Sequence, residues 1–263
     1  MPAIYAHDRF GKIIYKNLEG EIKRVISENY TQYRIGLQGP DIFFFYKPLR
    51  DTEVVKYGNH MHEVSAYGFF EKSIKILKER EIKDNEYAYL IGFICHYMLD
   101  SECHGYIDKM VGELGVPHIE IEEEFDKMLL RKDGENALSY PLSNLVPCDK
   151  KTVDSIKPFH ESISSEDIER SLKDMKMLKK VFTAPGAPKQ FMINTILKIL
   201  GKYKNMKGLM HQRKDNLKCT VTNDGILKRF DSAVEPTVHI INDFDESLRK
   251  GKELNKRFDR NFE

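Results

Sequence analysis

The chain has 263 residues, 32% of them charged, and a formal net charge of +1. This length allows one large hydrophobic core or two small ones, and the near-zero net charge gives no bulk electrostatic case for binding nucleic acid or an anionic membrane surface. The longest apolar stretch, 87–99, is far shorter than the roughly 20 residues of a membrane span. No apolar run near the N-terminus has the length of a secretory signal. We therefore expect a cytoplasmic protein whose four cysteines are reduced thiols.

The first 29 residues predict a helix from about Gly11 to Asn29, because apolar side chains recur there at helical spacing. His7 lies just before this predicted helix. Taken alone, His7 is typical of a surface or capping residue rather than of a metal ligand.

Residues 30–49 contain an unusual segment, IGLQGPDIFFFY. Its glycines and proline interrupt regular structure, and Asp41 then precedes a run of bulky apolar side chains. Asp41 fits either the first turn of a helix or a buried site, where a carboxylate needs a cap, a cation or a metal. Both interpretations stay open on this segment alone. For Phe43 to Tyr46 we favour core packing over the border of an apolar substrate pocket.

A histidine pair follows in the sequence GNHMH, ahead of a predicted helix through Phe69 and Leu77. His60 and His62 are two residues apart, so on a helix they face different directions. At most one of them is expected to join a strip of ligands.

The most informative stretch predicts two helices, over 87–110 and 118–131, separated by a Gly-Val-Pro break. Five side chains of the types that bind zinc stand at steps of four on these helices: His96, Asp100 and His104, then His118 and Glu122. Steps of four place side chains on one helical face. A buried aspartate needs a partner, and zinc suits both imidazole and carboxylate. The two strips therefore predict a zinc site.

The other polar residues of this stretch are interpreted as structural. Cys95 and Cys103 point off the ligand strip, which favours positions in the core or in support of the ligands. Glu102 and Asp108 are interpreted as surface acids off the strip.

The second half predicts helices over 165–182, 188–203 and 224–250. Ser164 gives a capping signal for the first of them. Pro236 interrupts or kinks the last one, or starts a new helix.

Three further histidines lack partners at ligand spacing and are interpreted as structural or surface residues: His160, His211 and His239. The sequence contains no internal repeat, glycine-rich phosphate loop, GxSxG or HExxH motif.

The order of the motifs resembles the zinc-dependent phospholipase C and fungal single-strand nuclease superfamily, and most closely its bacterial zinc-dependent phospholipase C branch. The resemblance covers about the first 130 residues through His7 with Phe10-Gly11, GLQGPDIFF, Gly58 to His62, GFICHYMLDSECH and HIEIE. It implies an all-α, multi-helix bundle around a metal cleft. The bundle would be a single domain over 1–263, with ligands from 1–132 and further helices from 150–263.

The resemblance also implies up to three zinc ions (Zn2+). The ligands would be Asp41, His62, His96 and Asp100 for the first ion, His104, His118 and Glu122 for the second, and His7, the bridging Asp100 and the N-terminal backbone for the third. In the secreted relatives that N-terminus is a tryptophan, and this chain contains none. We expect removal of Met1 to leave Pro2 as the N-terminal ligand. The choice of His62 over His60 rests on the Gly-x-x-x-His match.

These ligands predict a zinc-dependent phosphodiesterase of phospholipase C type, which hydrolyses a phospholipid or small phosphodiester with a metal-activated water. Asp41 is the candidate for orienting or deprotonating that water. One alternative is a zinc-dependent nuclease or nucleotidase, although no basic patch with interleaved aromatic residues lies near the ligands in the sequence. The other is a non-catalytic structural or interaction protein that zinc stabilises.

Overall fold

The computed structural model describes residues 4–79 and 82–262, and all regular structure in those ranges is helical. The α-helices are α1 (Ile4–Asn17), α2 (Gly20–Glu28), α3 (Tyr30–Gly36), α4 (Glu53–Glu63), α5 (Tyr67–Lys78), α6 (Asp84–Leu114), α7 (His118–Lys132), α8 (Lys150–Ile156), α9 (Ser165–Phe182), α10 (Ala187–Ile199), α11 (Tyr203–Met206), α12 (Cys219–Ser232) and α13 (Val234–Lys250). Short 3-10 helices occupy Gly39–Phe45, Leu142–Leu145, Lys157–Phe159, Lys207–Leu209 and Lys256–Asp259. The all-α prediction is confirmed.

Helix α6 is the centre of the bundle. Every residue from Glu86 to Asp100 is buried, as expected of a helix that is apolar on all sides. It contacts α1, α2, α3, α7, α8, α12 and α13. Like every other helix in the described ranges, α6 is not long and apolar enough to cross a membrane.

Two glycines allow α3 to cross α6 at close range. A Cβ atom on Gly36 would lie 2.1 Å from the carbonyl oxygen of Tyr89, and one on Gly92 would lie 2.1 Å from that of Tyr33. Any larger residue at either position would force the backbones apart. The crossing holds the 3-10 helix Gly39–Phe45, the turn that follows α3 and carries Asp41, against α6.

The predicted helices agree best with the structure where a capping signal marks them. Helix α9 occupies the predicted 165–182, and the Ser164 hydroxyl accepts a hydrogen bond from the Asp167 backbone N–H at 3.1 Å. The predicted 224–250 helix is two helices, α12 and α13. Pro236 stands in the first turn of α13, where its missing N–H costs no hydrogen bond. The N-terminal helix begins at Ile4, so His7 lies within it.

Residues 182–210 pack partly on themselves. A small apolar cluster, separate from the main core, holds this segment together through Phe182, Ala184, Ile193, Leu197 and Met210. The residues that α10 buries are Gln190, Ile193 and Leu197.

Candidate metal centre

A first cluster of four side chains forms where α4, α6 and the turn after α3 meet. Asp41, His62, His96 and Asp100 are all buried, and each has one ligand-type atom within 4.8 Å of those of the others. His62 Nε2 lies 3.0 Å from Asp41 Oδ1, and His96 Nε2 lies 3.1 Å from Asp100 Oδ2. Two imidazoles and two carboxylates could hold a metal ion, and they are the ligand types that zinc takes. His62 belongs to this cluster and His60 is exposed.

A second cluster joins the C-terminal part of α6 to the start of α7. His104, His118 and Glu122 each offer a ligand atom within 4.8 Å of the others. Glu122 Oε1 lies 3.2 Å from His118 Nε2 and 3.7 Å from His104 Nε2. His104 and Glu122 are buried, but the His118 side chain is 29% exposed. The second cluster therefore has an opening to solvent.

The Asp100 carboxylate borders both clusters. Its Oδ2 atom lies 3.1 Å from His96 Nε2, and its Oδ1 atom lies 3.7 Å from His104 Nε2. The same Oδ1 is 3.1 Å from His7 Nε2. The Asp100 carboxylate thus lies within 3.9 Å of four of the five predicted histidine ligands, and His118 is the exception. The four are His7, His62, His96 and His104.

His7 reaches this site from α1. Its ring stacks on that of His96 with centroids 4.4 Å apart. The start of α1 is held by Asp126, whose carboxylate accepts hydrogen bonds from the backbone N–H groups of Tyr5 and Ala6 at 3.0 and 2.8 Å. Sequence reasoning missed Asp126, although it continues the steps of four after Glu122. The predicted N-terminal ligand Pro2 lies outside the described residues.

Backbone carbonyl groups orient the imidazoles of the first cluster. His62 Nδ1–H donates to the Gly58 carbonyl at 2.8 Å, and His96 Nδ1–H donates to the Leu37 carbonyl at 3.2 Å. With Nδ1 protonated in this way, the Nε2 lone pair of a neutral ring points at the carboxylates. A lone pair and a carboxylate repel each other unless a cation lies between them, as in metal sites where a carbonyl holds the outer side of a histidine ligand.

Asp108 has the same orienting position in the second cluster. Its Oδ1 atom lies 2.8 Å from His118 Nδ1. The sequence interpretation as a surface acid agrees with its 59% side-chain exposure, but it misses this contact. The available signal was the position of Asp108, four residues after His104 on α6.

Several polar atoms in and beside the clusters are buried and, among the described residues, have no hydrogen-bond partner. They are His7 Nδ1, His96 Nε2, His104 Nε2, Asp100 Oδ2 and Glu122 Oε2. Four of these five atoms belong to the two clusters that could hold a metal, and an ion there would supply the partners that these atoms lack. The residues present therefore fit zinc.

The electrostatics also call for cations. Burial alone would raise the pKa of the Glu122 carboxyl, but His118 and His104 hold that pKa at about 2. Burial would lower the pKa of His104, but Asp100 and Glu122 raise it to about 9. The carboxylates stay ionised and require positive charge beside them, which protons or metal ions can supply.

Gly39 shapes the turn that carries Asp41. Its φ angle is +47°, and a Cβ atom there would lie 2.1 Å from His96 Cδ2. The turn therefore rests directly on the imidazole ring, and a glycine is needed both for the backbone angle and for the space.

Comparison with known proteins identifies the family of the chain. The model of a family described as zinc-dependent phospholipase C matches residues 6–177, more than half of the chain. The chain belongs to the zinc-dependent phospholipase C family. No curated protein and no solved structure matches it. The family match includes every candidate ligand from His7 to Glu122, and the family's name supports zinc dependence and a hydrolase reaction.

The candidate metal centre of this zinc-dependent phospholipase C family member is open to solvent on one side. A pocket of about 270 Å³ reaches both clusters and is lined by Phe44, Asn59, His62, Glu63, His104, Asp108 and His118. Phe44 stacks on the His62 ring at 5.0 Å, and the C-terminal Phe262 lies 5.3 Å from the same ring. The aromatic rings cover the first cluster, and the second cluster faces the pocket.

The remaining histidines and cysteines singled out in the sequence lie outside the two clusters of this family member. His211 is half-buried, and its Nδ1 atom lies 3.4 Å from Glu123 Oε1. His160 is buried between Tyr57 and Tyr89, and His239 is exposed on α13. Cys95 and Cys103 are buried in the core.

Proposed function

We propose that this protein is a zinc-dependent phosphodiesterase of phospholipase C type, which hydrolyses a phospholipid or a smaller phosphodiester. The observation that carries the proposal is the convergence of two histidine–carboxylate clusters on Asp100, beside a pocket that reaches both. Clustered metal sites of this kind suit the hydrolysis of phosphate esters, in which both the attacking and the leaving oxygen need charge stabilisation.

The clusters would hold up to three ions. One would lie on Asp41, His62, His96 and Asp100, a second on His104, His118 and Glu122, and a third on His7, Asp100 and the amine of Pro2 after removal of Met1. Zinc supplies a water of lowered pKa and neutralises charge on the phosphoryl oxygens. A fully zinc-loaded, active protein whose intact mass still includes Met1 would contradict the role of Pro2.

The chain's own residues orient the reaction. The carbonyl groups of Gly58 and Leu37 and the carboxylate of Asp108 fix the rings of His62, His96 and His118. Asp41 is buried beside His62 and would orient or deprotonate the attacking water. Phe44 and the other pocket residues would hold the substrate next to the second cluster.

An assay panel tests the reaction class. Zinc-loaded protein is incubated with short-chain phosphatidylcholine, bis-p-nitrophenyl phosphate, single-stranded DNA and 3′-nucleotides, with and without a chelator. We expect chelator-sensitive release of diacylglycerol or p-nitrophenol. Release of nucleotides or nucleosides alone would indicate the nuclease alternative, and zinc content without turnover on any substrate would indicate a structural protein.

The two histidines of α4 provide a matched control for the site. His62→Ala removes a buried cluster residue, and we expect it to lower zinc content and abolish turnover. His60→Ala changes an exposed residue two positions away on the same helix and should change neither. Equal activity of the two variants would contradict the proposed site.

A further inference from the structure

Positive charge is concentrated in one segment that lies beyond the metal ligands. Residues 175–214 contain ten lysines and arginines and no aspartate or glutamate, although the whole chain has a net charge of only +1. Lys180, Lys198, Lys202 and Lys204 are exposed and form no ion pair with any residue in the described ranges. The segment therefore presents these four unpaired lysines on the surface of a nearly neutral protein.

Helix α10 in this segment exposes a large apolar face. Phe191 is 74% exposed and Ile199 is 79% exposed, and Met192, Ile196 and Leu200 beside them are each about half exposed. Soluble proteins seldom expose so many large apolar side chains together unless the surface meets a partner. We call these five residues, with Lys198 and Lys202, the docking face.

The exposed lysines and the apolar face of α10 together indicate which kind of partner the surface binds. An apolar helix face with flanking lysines is typical of helices that lie in the interface of a bilayer, where the apolar side chains enter the acyl region and lysines reach the headgroups. Anionic lipids attract such lysines. A nucleic acid would satisfy the lysines but would leave the aliphatic side chains in water, so the apolar face favours a membrane.

An apolar groove connects the 175–214 segment with the candidate metal centre. The groove, of about 270 Å³, is lined by Phe44, Phe45, Ile119, Leu178, Met206 and Leu209. Leu178, Met206 and Leu209 come from the same segment as α10, and Phe44 also lines the pocket at the two clusters. Apolar surface thus continues from the cationic segment to the entrance of the metal centre.

We propose that the docking face binds the protein to the surface of an anionic phospholipid bilayer. Most of the segment lies beyond the family match, which ends at residue 177, so the candidate ligands and the docking face lie in different parts of the chain. The proposal rests on exposure and charge rather than on the proposed reaction, and its test does not depend on turnover.

The test is flotation of the zinc-loaded full chain with vesicles. Vesicles of equal parts phosphatidylglycerol and phosphatidylcholine should bind the protein, and phosphatidylcholine alone should bind it at least tenfold more weakly. Raising the salt from about 0.1 M to about 1 M, which shortens the Debye length from about 10 Å to about 3 Å, should release most of the protein from anionic vesicles. Hydrolysis of a soluble substrate is measured in parallel.

Two matched pairs of variants locate the contact. Ile199→Glu should lower the vesicle partition coefficient more than tenfold, and Val221→Glu, which changes an exposed apolar residue of α12, should not. Lys198→Glu should lower partitioning at least fivefold, and Lys228→Glu, at an exposed lysine of α12, should have less effect. Soluble-substrate activity should be unchanged in all four.

Several outcomes would overturn the proposal. These are equal losses in each matched pair, no binding of the full chain to anionic vesicles, binding to nucleic acid in preference to vesicles, and a dimer that Ile199→Glu dissociates without loss of vesicle binding. Vesicle binding without hydrolysis of any substrate would support docking and contradict the proposed function, so the two failures can be told apart.

Discussion

Two buried histidines in this structure show what distinguishes a candidate metal ligand from a core residue. His160 and His96 are both fully buried. His160 has a tyrosine hydroxyl 2.9 Å from each ring nitrogen. His96 donates through Nδ1 to a carbonyl, and its Nε2 faces the carboxylates of Asp41 and Asp100.

The difference lies in the partners rather than in the burial. Hydroxyl groups can donate or accept, so a neutral His160 satisfies both of its nitrogens with no ion. Carboxylates can only accept, so the Nε2 atom of a neutral His96 and its two acidic neighbours need a cation between them. A buried histidine is a candidate metal ligand when its second nitrogen faces groups that cannot donate to it, because a proton or a metal ion must then lie between them.

Replacing Asp100 by Asn should have the largest effect. The change removes negative charge from the residue that both clusters share, so we expect loss of metal from both and a fall in activity of about three orders of magnitude, from the several kcal/mol that metal ions contribute. Metal analysis by mass spectrometry and phosphodiesterase assays measure the outcome.

Asp8→Asn is the control for that change. Asp8 is an equally buried acid on α1, but it pairs with Arg34 and Lys12 rather than with imidazoles. Its replacement should lower the free energy of unfolding and leave the zinc content intact. An Asp100→Asn protein that keeps its full zinc content would show that the carboxylate is not a shared ligand.

Gly39→Ala tests the contact of the turn with His96. The added Cβ atom would lie 2.1 Å from the ring, so we expect His96 to be displaced, the first cluster to lose zinc and activity to fall by about a hundredfold. Gly20→Ala imposes a similar left-handed backbone angle with nothing within 4 Å, and it should cost about 1 kcal/mol of stability with no loss of zinc. Equal zinc content in both variants would contradict the prediction.

The buried His160 predicts a pH dependence of the free energy of unfolding that does not involve the candidate metal ligands. Burial lowers the pKa of His160 to about 3, so below the pKa of the unfolded chain, about 6.5, the unfolded state binds a proton that the folded state does not. Stability is therefore lost as the pH falls from about 6.5 towards 3. Between pH 6.5 and 5 this contribution is about 2 kcal/mol.

The measurement is urea unfolding of the chelator-treated protein and of a His160→Gln variant at both pH values. The variant should lose about 2 kcal/mol less than the parent between them. Identical pH dependence in the two proteins would mean that His160 is not the neutral core residue inferred from its tyrosine partners.

The smallest effect is expected for Asp108→Asn. A carboxylate behind a histidine ligand typically changes metal affinity by 10- to 100-fold, and the exposure of Asp108 places the expected loss near tenfold. Titration with a competing chelator should show weaker binding at the second cluster and unchanged binding at the first. Glu113→Gln, at an exposed acid of the same helix, should alter neither.

The sequence predicted what periodicity and local chemistry determine. Steps of four on α6 and α7 predicted the five candidate ligands of those helices, and the Ser164 cap marked the start of α9. Asp41, His62 and His7, and the grouping of the ligands, came from the family resemblance. Contacts between distant segments carry no such signal: the hydrogen bond from Tyr5 to Asp126 joins residues 121 positions apart, and the close crossing at Gly36 and Gly92 shows only in three dimensions. The single-domain organisation and the cytoplasmic location stay predictions.

The docking face shows a second limit of prediction from sequence. A net charge of +1 predicts no attraction to an anionic surface, because a sum over the chain carries no information about position. Ten positive residues without an acid in 175–214 are visible in the sequence once charge is counted by segment. The exposure of the apolar side of α10 follows from packing, which the sequence alone did not predict.

The Asp126 cap on α1 also sets an order of events in folding. Closing a loop of more than a hundred residues costs conformational entropy before any contact compensates it. Because α1 is synthesised before α7, its first turn cannot meet the Asp126 carboxylate until α7 has been made. That turn carries His7. The pair of His7 and Asp100 therefore forms only after the ligands of α6 and α7 have been made and can meet. During synthesis, zinc that depends on His7 should therefore bind only after α7 has been made.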